Sequence, residues 1–443
     1  MTIDNLNEKV LNSKFAIKIG KELSESQLIC KIVNIYTTIR LKIINSKIAE
    51  KCHINGTTLF CFCFAIAYLY YILNTTLVYL WDIYSIIPML SSLINICIYV
   101  LYFKIIIFDS YNKKDLLTVI LPEIICWILV SIASNISGYS DLLIYFIFII
   151  SARNVDFRKV ALISMIIGSI TVVSVTTISI IDIIPDLVYG SRHSFGFIYP
   201  TDYVAHIFFL ILTYFWYRKG KLHWYENAVI LAIAAITYYF CHTRLDSGCI
   251  ILLVIFGVLY NCKYGTRIYH KLRYILIYST PIAAVATILL SIIYNPNYNI
   301  LVFIDKIFSH RFSLGHMMMF RHGVTFWGHE VLDVGLGGSL EKPQEYTYID
   351  ISYVRILIKY GILILLLLVA FTTLFLKKSV EKRDYVTAIV FLLITINCMV
   401  AQHLIDFSYN IFLFILYAKI DSYEQNKVQE VTPKKKKFEL HNK

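Results

Sequence analysis

Residues 57–77 read TTLFCFCFAIAYLYYILNTTL, with no Asp, Glu, Lys, Arg or His among them. At ~1.5 Å per residue, a helix of this length covers the ~30 Å hydrocarbon core of a bilayer. Runs of the same character follow at 83–103, 117–136, 139–152, 160–183, 199–217, 227–242, 247–262, 274–294, 351–376, 384–401 and 404–419, the fourth and the last being short. Of the 443 residues, 58% are hydrophobic and 16% charged. A soluble core stops growing near ~250–300 residues and could not hide that much apolar side chain. The expected fold class is all-α: a polytopic membrane protein with about 12 transmembrane helices and one long outer loop.

The basic residues set the expected orientation. With the N-terminus in the cytoplasm, alternate connections hold 33 of the 41 Lys and Arg on the inner side and 8 outside. Membrane proteins keep such an excess on the cytoplasmic side, and one missed span would erase it. The chain then divides into a cytoplasmic basic arm at 1–55, a transmembrane domain at 56–420 and a cytoplasmic basic tail at 421–443. The arm has no short apolar block ending in a cleavage site, as a signal peptide would. Within it, Leu28 to Ile44 repeats apolar residues at helical spacing around Lys31, Arg40 and Lys42, which reads either as a helix on the inner membrane surface or as a solvated arm. The net charge of +12 is mostly inner-face charge, ending in Lys434-Lys435-Lys436-Lys437. It suits anionic lipid head groups and calls for no nucleic acid. The ten cysteines lie in apolar runs or on the cytoplasmic side, with no metal-binding spacing.

The eight outer cations are Arg192, Arg244, Lys306, Arg311, Arg321, Lys342, Arg355 and Lys359, so five are arginine against 7 of 33 inside. A guanidinium is a planar, permanently charged fork that matches phosphate, whereas a lysine is a mobile point charge. A shared anion site is one account. Salt bridges to outer carboxylates such as Asp333 or Glu341 could absorb one or two of the eight. The one long outer segment, 295–350, carries Asp305, His310, Arg311, Arg321, His322, Trp327, His329, Glu330 and Asp350. Its part from Phe303 to Trp327 reads as a re-entrant or interfacial helix, on which Arg311, His322 and His329 fall near one face.

Three further segments flank that loop. Gly190-Ser-Arg192-His193-Ser-Phe-Gly196-Phe-Ile-Tyr-Pro200-Thr-Asp202 opens the sixth span, Thr243-Arg244-Leu-Asp246-Ser247-Gly248 joins the seventh and eighth, and Tyr348-Ile-Asp350-Ile-Ser352-Tyr353-Val-Arg355 starts the tenth. Gly196 and Pro200 can equally serve to shape the start of a helix, and Asp246 and Asp350 can be helix caps.

Taken in order, Arg192-x-x-x-Gly196-Phe197, Thr243-Arg244-x-x-Ser247, Arg311 in a long outer loop and Asp350-x-Ser352-Tyr353 resemble the Wzy-type polysaccharide polymerases and the related O-antigen ligases, over most of residues 185–410. In the ligases a His precedes a Gly by eleven residues at the matching place. Here Asp350 stands before Gly361, which favours polymerase over ligase. The resemblance implies a glycosyltransferase in the bacterial cytoplasmic membrane, with its active site on the outer face, building O-antigen, capsule or exopolysaccharide. Its substrate would be an oligosaccharide repeat unit on polyprenyl (undecaprenyl) pyrophosphate, and its partners membrane lipid, a chain-length regulator and a flippase.

In that chemistry an acceptor hydroxyl attacks the anomeric carbon and the lipid pyrophosphate leaves. Fixed guanidiniums aimed at the leaving group stabilise the transition state more than the ground state. Arg192, Arg244, Arg311 and Arg321 are the expected pyrophosphate ligands, and Asp350 and His322 the candidate bases for the acceptor. No outer Asp-x-Asp is present, so neither a metal nor another cofactor is required. The aromatic residues Phe195, Tyr199, Tyr203, Tyr238, Trp327 and Tyr353 suit sugar faces, though bilayer packing explains them as well. The alternatives are a flippase for the same lipid-linked sugar, which would need charges inside the spans, and a ligase-like glycan transferase.

Overall fold

A computed structural model describes residues 27–45, 55–80, 86–109, 111, 116–341 and 343–420. Residues 1–26 of the expected arm, Lys342 and the expected tail at 421–443 lie outside the described residues. Among the described residues the regular structure is helical apart from one small hairpin. The helices are α1 (Gln27–Ile44), α2 (Gly56–Leu73), α3 (Ile86–Ile107), α4 (Leu121–Ser137), α5 (Asp141–Ser151) and α6 (Phe157–Ile180). After the hairpin β1 (Val188–Tyr189) and β2 (Arg192–His193) come α7 (Pro200–Tyr217), α8 (Trp224–Cys241), α9 (Arg244–Asn261), the short α10 (Gly265–Lys271) and α11 (Arg273–Ile293). The long loop holds α12 (Asn299–Ile307) and α13 (Arg311–His322), and α14 (Ser352–Lys359), α15 (Gly361–Glu381) and α16 (Tyr385–Cys398) follow.

Among the described residues, seven helices are long and apolar enough to cross a membrane: α2, α3, α4 with its preceding turn, α6, α9, α11 and α15. Helices α5 and α16 are shorter and apolar. Large apolar side chains such as Ile96, Ile170, Val173 and Val285 point outward from these helices and are exposed. A bilayer can cover such a surface and water cannot, so the protein is membrane-embedded.

Helix ends are set by local chemistry. Asn55 caps α2 by accepting from Thr58 N at 2.9 Å, Asp156 caps α6 from Arg158 N at 2.9 Å, and Asp384 caps α16 from Thr387 N at 3.2 Å. Gly138 closes α4 in the left-handed conformation. Contacts between these ends sort them into two groups. At one end Lys104 of α3 donates to Asp109 (2.8 Å) and to the carbonyl of Arg153 after α5, while Arg153 pairs with Glu123 of α4. Helix α1 docks there, with Tyr36 Oη donating to Ile106 O (2.6 Å) and Arg40 Nε to Ile107 O (2.8 Å), the carbonyls that α3 leaves free. At the other end the strand segment at Thr76 bridges to Phe197, and the long loop closes over the bundle. We call this second end the loop end.

The structure departs from the expected runs in three places. The run 351–376 is not one helix but breaks at Tyr360–Gly361, where Gly361 adopts φ +86°. The long loop inserts there: His329 N donates to Ile358 O (2.9 Å) and Ile362 N to Thr325 O (3.0 Å). A Cβ on Gly361 would collide with Phe326 O, and one on Gly328 with Lys359 O. The run 404–419 holds no α-helix. Two 3-10 turns, His403–Ile405 and Ile411–Leu416, lie in a buried strand of chain. It leaves Ala401, whose carbonyl accepts from Ser352 Oγ at the loop end, and reaches Lys419, hydrogen-bonded to Val155 and Phe157 at the opposite end. Irregular backbone at this depth is tolerable only when enclosed by protein, and Asn410 and Tyr145 supply part of the missing hydrogen bonding. Finally, the expected helix from Phe303 to Trp327 is two helices, because Ser309 and His310 take left-handed conformations and Gly323 ends α13. His329 therefore does not share a helix face with Arg311.

Candidate functional site

Arg192 is held by a folded strap rather than by a long helix. In the hairpin, Val188 pairs with His193 and Tyr189 with Arg192, and Gly190 turns it at φ +70°. The Asp186 carboxylate gathers the strap by accepting from Ser194 N (2.9 Å), Phe195 N (2.7 Å) and His193 Nδ1 (2.6 Å). Gly196, at φ +80°, packs so closely on α6 that an added Cβ would lie 3.0 Å from Val175 Cγ1. The glycine of the Arg-x-x-x-Gly-Phe pattern thus shapes the strap, and Phe197 anchors it in the core. The strap presents Arg192 to α8 and α7: Nε donates to Cys241 O at 2.9 Å and Nη1 reaches Tyr199 Oη at 3.4 Å. Cys241 is the last residue of α8, and Arg244 begins α9 three residues later. Arg244 itself is exposed, with no hydrogen-bond or ion-pair partner among the described residues.

Arg311 comes from the long loop. Asp305 on α12 is buried and caps α13 from outside, accepting from Phe312 N (2.9 Å) and Ser313 N (3.0 Å). Arg311, the first residue of α13, is thereby fixed against the bundle, where it forms an ion pair with Asp350. Asp350 is not the cap of α14, a position held by Ile351. Tyr346 Oη donates to the same Asp350 oxygen, Oδ2, at 3.4 Å. The hydroxyls of Tyr346, Tyr199 and Tyr348 and the guanidinium of Arg192 all lie within electrostatic range of Arg311. Burial presses the Arg311 pKa below its ordinary value, yet a guanidinium stays charged. Its Nε is buried without a hydrogen-bond partner. Arg192 and Arg311, 119 positions apart in the chain, thus share one site at the loop end around Tyr199.

Other expected residues stand apart. Helix α13 rises ~16 Å from Arg311 to His322. Arg321 at its far end pairs with exposed Glu345 at 2.6 Å, and the His322 ring sits 6.3 Å from that of His329. Neither joins the Arg192–Arg311 group, because they lie at the other end of a rigid helix. Arg355 and Lys359 both bind Asp333, at 2.5 and 2.6 Å, the salt-bridge account anticipated for part of the outer charge. Lys359 is 1% exposed and lies 3.4 Å from the centroid of the Tyr139 ring. Of the aromatic residues, Tyr353 is fully buried and packs in the core rather than facing an opening.

Sequence reasoning missed two groups. Asp246 does not cap α9, where Thr243 holds the cap position; it turns inward, 2% exposed, and accepts from Asn397 Nδ2 at 2.8 Å. Both Arg311 and Arg192 lie within range of its carboxylate. The second group is a ring stack in which His403 and His206 flank Tyr409, with centroids 4.0 and 4.2 Å away. Asp202 lies beside the Tyr409 hydroxyl, and His403 Nδ1 is buried without a hydrogen-bond partner. Asp246 stood in a quoted segment, but the turn around it looked like a cap. His403, in the short gap between the last two runs, gave no signal. Among the described residues no group of three His, Cys, Asp or Glu could hold a metal ion. No family model matches the chain, nor does any curated protein or solved structure.

Proposed function

We propose that this protein is a membrane glycosyltransferase that polymerises polyprenyl-diphosphate-linked oligosaccharide repeat units. The observation that carries the reading is the meeting of Arg192 and Arg311, from separate loops, around Tyr199 at one end of the bundle, with the Arg244 turn hydrogen-bonded to Arg192. Two held guanidiniums and an exposed, unpaired third suit a diphosphate that gains charge as the glycosidic bond breaks. Asp350, beside Arg311, takes the proton of the acceptor hydroxyl. The acceptor oxygen then bonds to the anomeric carbon, and the carbon–oxygen bond to the diphosphate breaks with its electron pair. Arg321 and His322 are left out of this assignment.

In this reading the chain passes the bilayer about twelve times, the buried stretch after α16 being the last passage. Both termini are cytoplasmic, and the loop end faces outward in a bacterial cytoplasmic membrane. The test is gel analysis of cell glycan from an Arg244→Ala strain. Loss of long chains with accumulation of single lipid-linked units is expected, and normal chain length would remove the polymerase reading. A second reading, a carrier that moves the lipid-linked sugar across the bilayer, draws on the buried His206–Tyr409–His403 stack beside Asp202. Vesicles holding labelled lipid-linked sugar on one leaflet separate the two: a carrier transfers it without elongation.

A further inference from the structure

Helix α12 has two unlike faces. Ile300, Phe303 and Ile307 fall within about 60° of one another on a helical projection and are 68%, 65% and 57% exposed. Asp305 points the other way and is buried at the N-terminus of α13, where Phe312 N and Ser313 N donate to it. Lys306 is exposed at the border of the apolar face. A nine-residue helix that shows water three large apolar side chains in a row is uncovered in solution, so something must lie on it.

The neighbouring helix says what. Helix α11 is one of the membrane-crossing candidates, and Leu289, Ile292 and Ile293 in its last turns are exposed in the same lipid-facing manner. A short turn through Asn295 and Tyr298 then leads directly into α12. The apolar face of α12 therefore continues the belt of α11 at the depth where that helix leaves the hydrocarbon. We infer that α12 lies on the membrane at the loop end, with Ile300, Phe303 and Ile307 among the upper acyl chains and Lys306 reaching a lipid phosphate.

The consequence reaches the site. Because Asp305 holds the first turn of α13, the helix that rests on the lipid also sets the depth of Arg311. The guanidinium is carried at head-group level, where an anionic head group arriving within the membrane plane would meet it. The placement of α12 follows from the membrane-embedded character of the chain alone and holds whatever reaction the site performs.

Photo-crosslinking of the full chain tests it, with p-benzoylphenylalanine in place of Phe303, a substitution that keeps an aromatic ring on an exposed face. The protein is reconstituted in vesicles of phosphatidylethanolamine and phosphatidylglycerol, with the same residue at Ile292 as lipid-facing control and at exposed Ser339 as loop control. The yield of phospholipid adduct at 303 should come within about 3-fold of that at 292 and exceed that at 339 by about 10-fold or more. Adducts at 303 with a second copy of the chain, or no phospholipid adduct at 303 while 292 gives one, would overturn the placement.

Discussion

The guanidinium of Arg192 hydrogen-bonds through Nε to the main-chain carbonyl of Cys241, 2.9 Å away. A backbone carbonyl satisfies a guanidinium without neutralising it, so Arg192 keeps its full charge and a free edge. The same bond ties the strap before α7 to the turn before α9, and with it Arg192 to the neighbourhood of Arg244.

Arg244 makes no polar contact within the described protein, which gives its variant a distinctive profile. Arg244→Ala should change thermal stability by no more than ~0.5 kcal/mol, as for an exposed surface residue. It should nonetheless abolish long glycan chains. Unfolding of purified protein in detergent, followed beside the cell glycan, checks both halves.

Asp350 and a substrate phosphate compete for Arg311. Asp350→Asn removes the competing charge, so affinity for inorganic pyrophosphate should rise about tenfold, equivalent to ~1.4 kcal/mol. Chain elongation should disappear in the same variant. Titration calorimetry and an elongation assay on one preparation suffice, and weaker pyrophosphate binding would contradict the assignment of Arg311.

Asp333 carries two cations, one of them Lys359 at 1% exposure. Asp333→Asn leaves both near the bundle interior without a counter-charge, and breaking a buried pair in this way costs ~3–5 kcal/mol. A drop in the melting temperature is expected, accompanied by proteolysis of the loop, which is hydrogen-bonded at His329 to the break between α14 and α15. Unchanged melting would show that Asp333 does not hold those charges.

Arg321 and His322 test the limits of the site from outside. Arg321→Ala and His322→Gln should leave elongation within about 2-fold of wild type, since exposed pairs such as Arg321–Glu345 contribute little. Partial burial holds the His322 pKa below its ordinary value, and His329 and Arg321 add to the effect. A folded-state pKa lowered in this way favours the folded protein above the ordinary value of ~6.5, and the benefit is lost as pH falls. His322→Gln should therefore lose slightly less stability than wild type between pH 7 and pH 5.

The helical class and most run boundaries were legible because a span must be apolar throughout, a signal that needs no knowledge of neighbours. For instance, 160–183 corresponds to α6 at Phe157–Ile180, and 274–294 to α11 at Arg273–Ile293. The break at Gly361 was not legible. It depends on backbone groups of Thr325 and Phe326 arriving from a distant loop, and a lone glycine in an apolar run does not announce them. The stretch 404–419 misled for the related reason that an apolar run enclosed by protein looks like one facing lipid. Within the site, Arg192 and Arg311 stood out because arginine is unexpected in connections read as outer, and Asp350 because it opens a run read as a span. Arg321 met the same criterion, but charge alone does not reveal that it lies ten positions along a rigid helix from Arg311. Asp246 and His403 stayed hidden, since Asn397 and the His206 ring on the far side of Tyr409, the groups they are brought to, come from other elements.

Binding of a diphosphate at the Arg192–Arg311 group tests the account most directly. Purified protein in lipid nanodiscs, titrated with undecaprenyl diphosphate, should bind saturably, and Arg192→Ala and Arg311→Ala should each weaken binding by roughly 100-fold or more, since each removes a guanidinium donor of ~3–4 kcal/mol. Equal affinity in wild type and both variants, or no saturable binding in wild type, would contradict it.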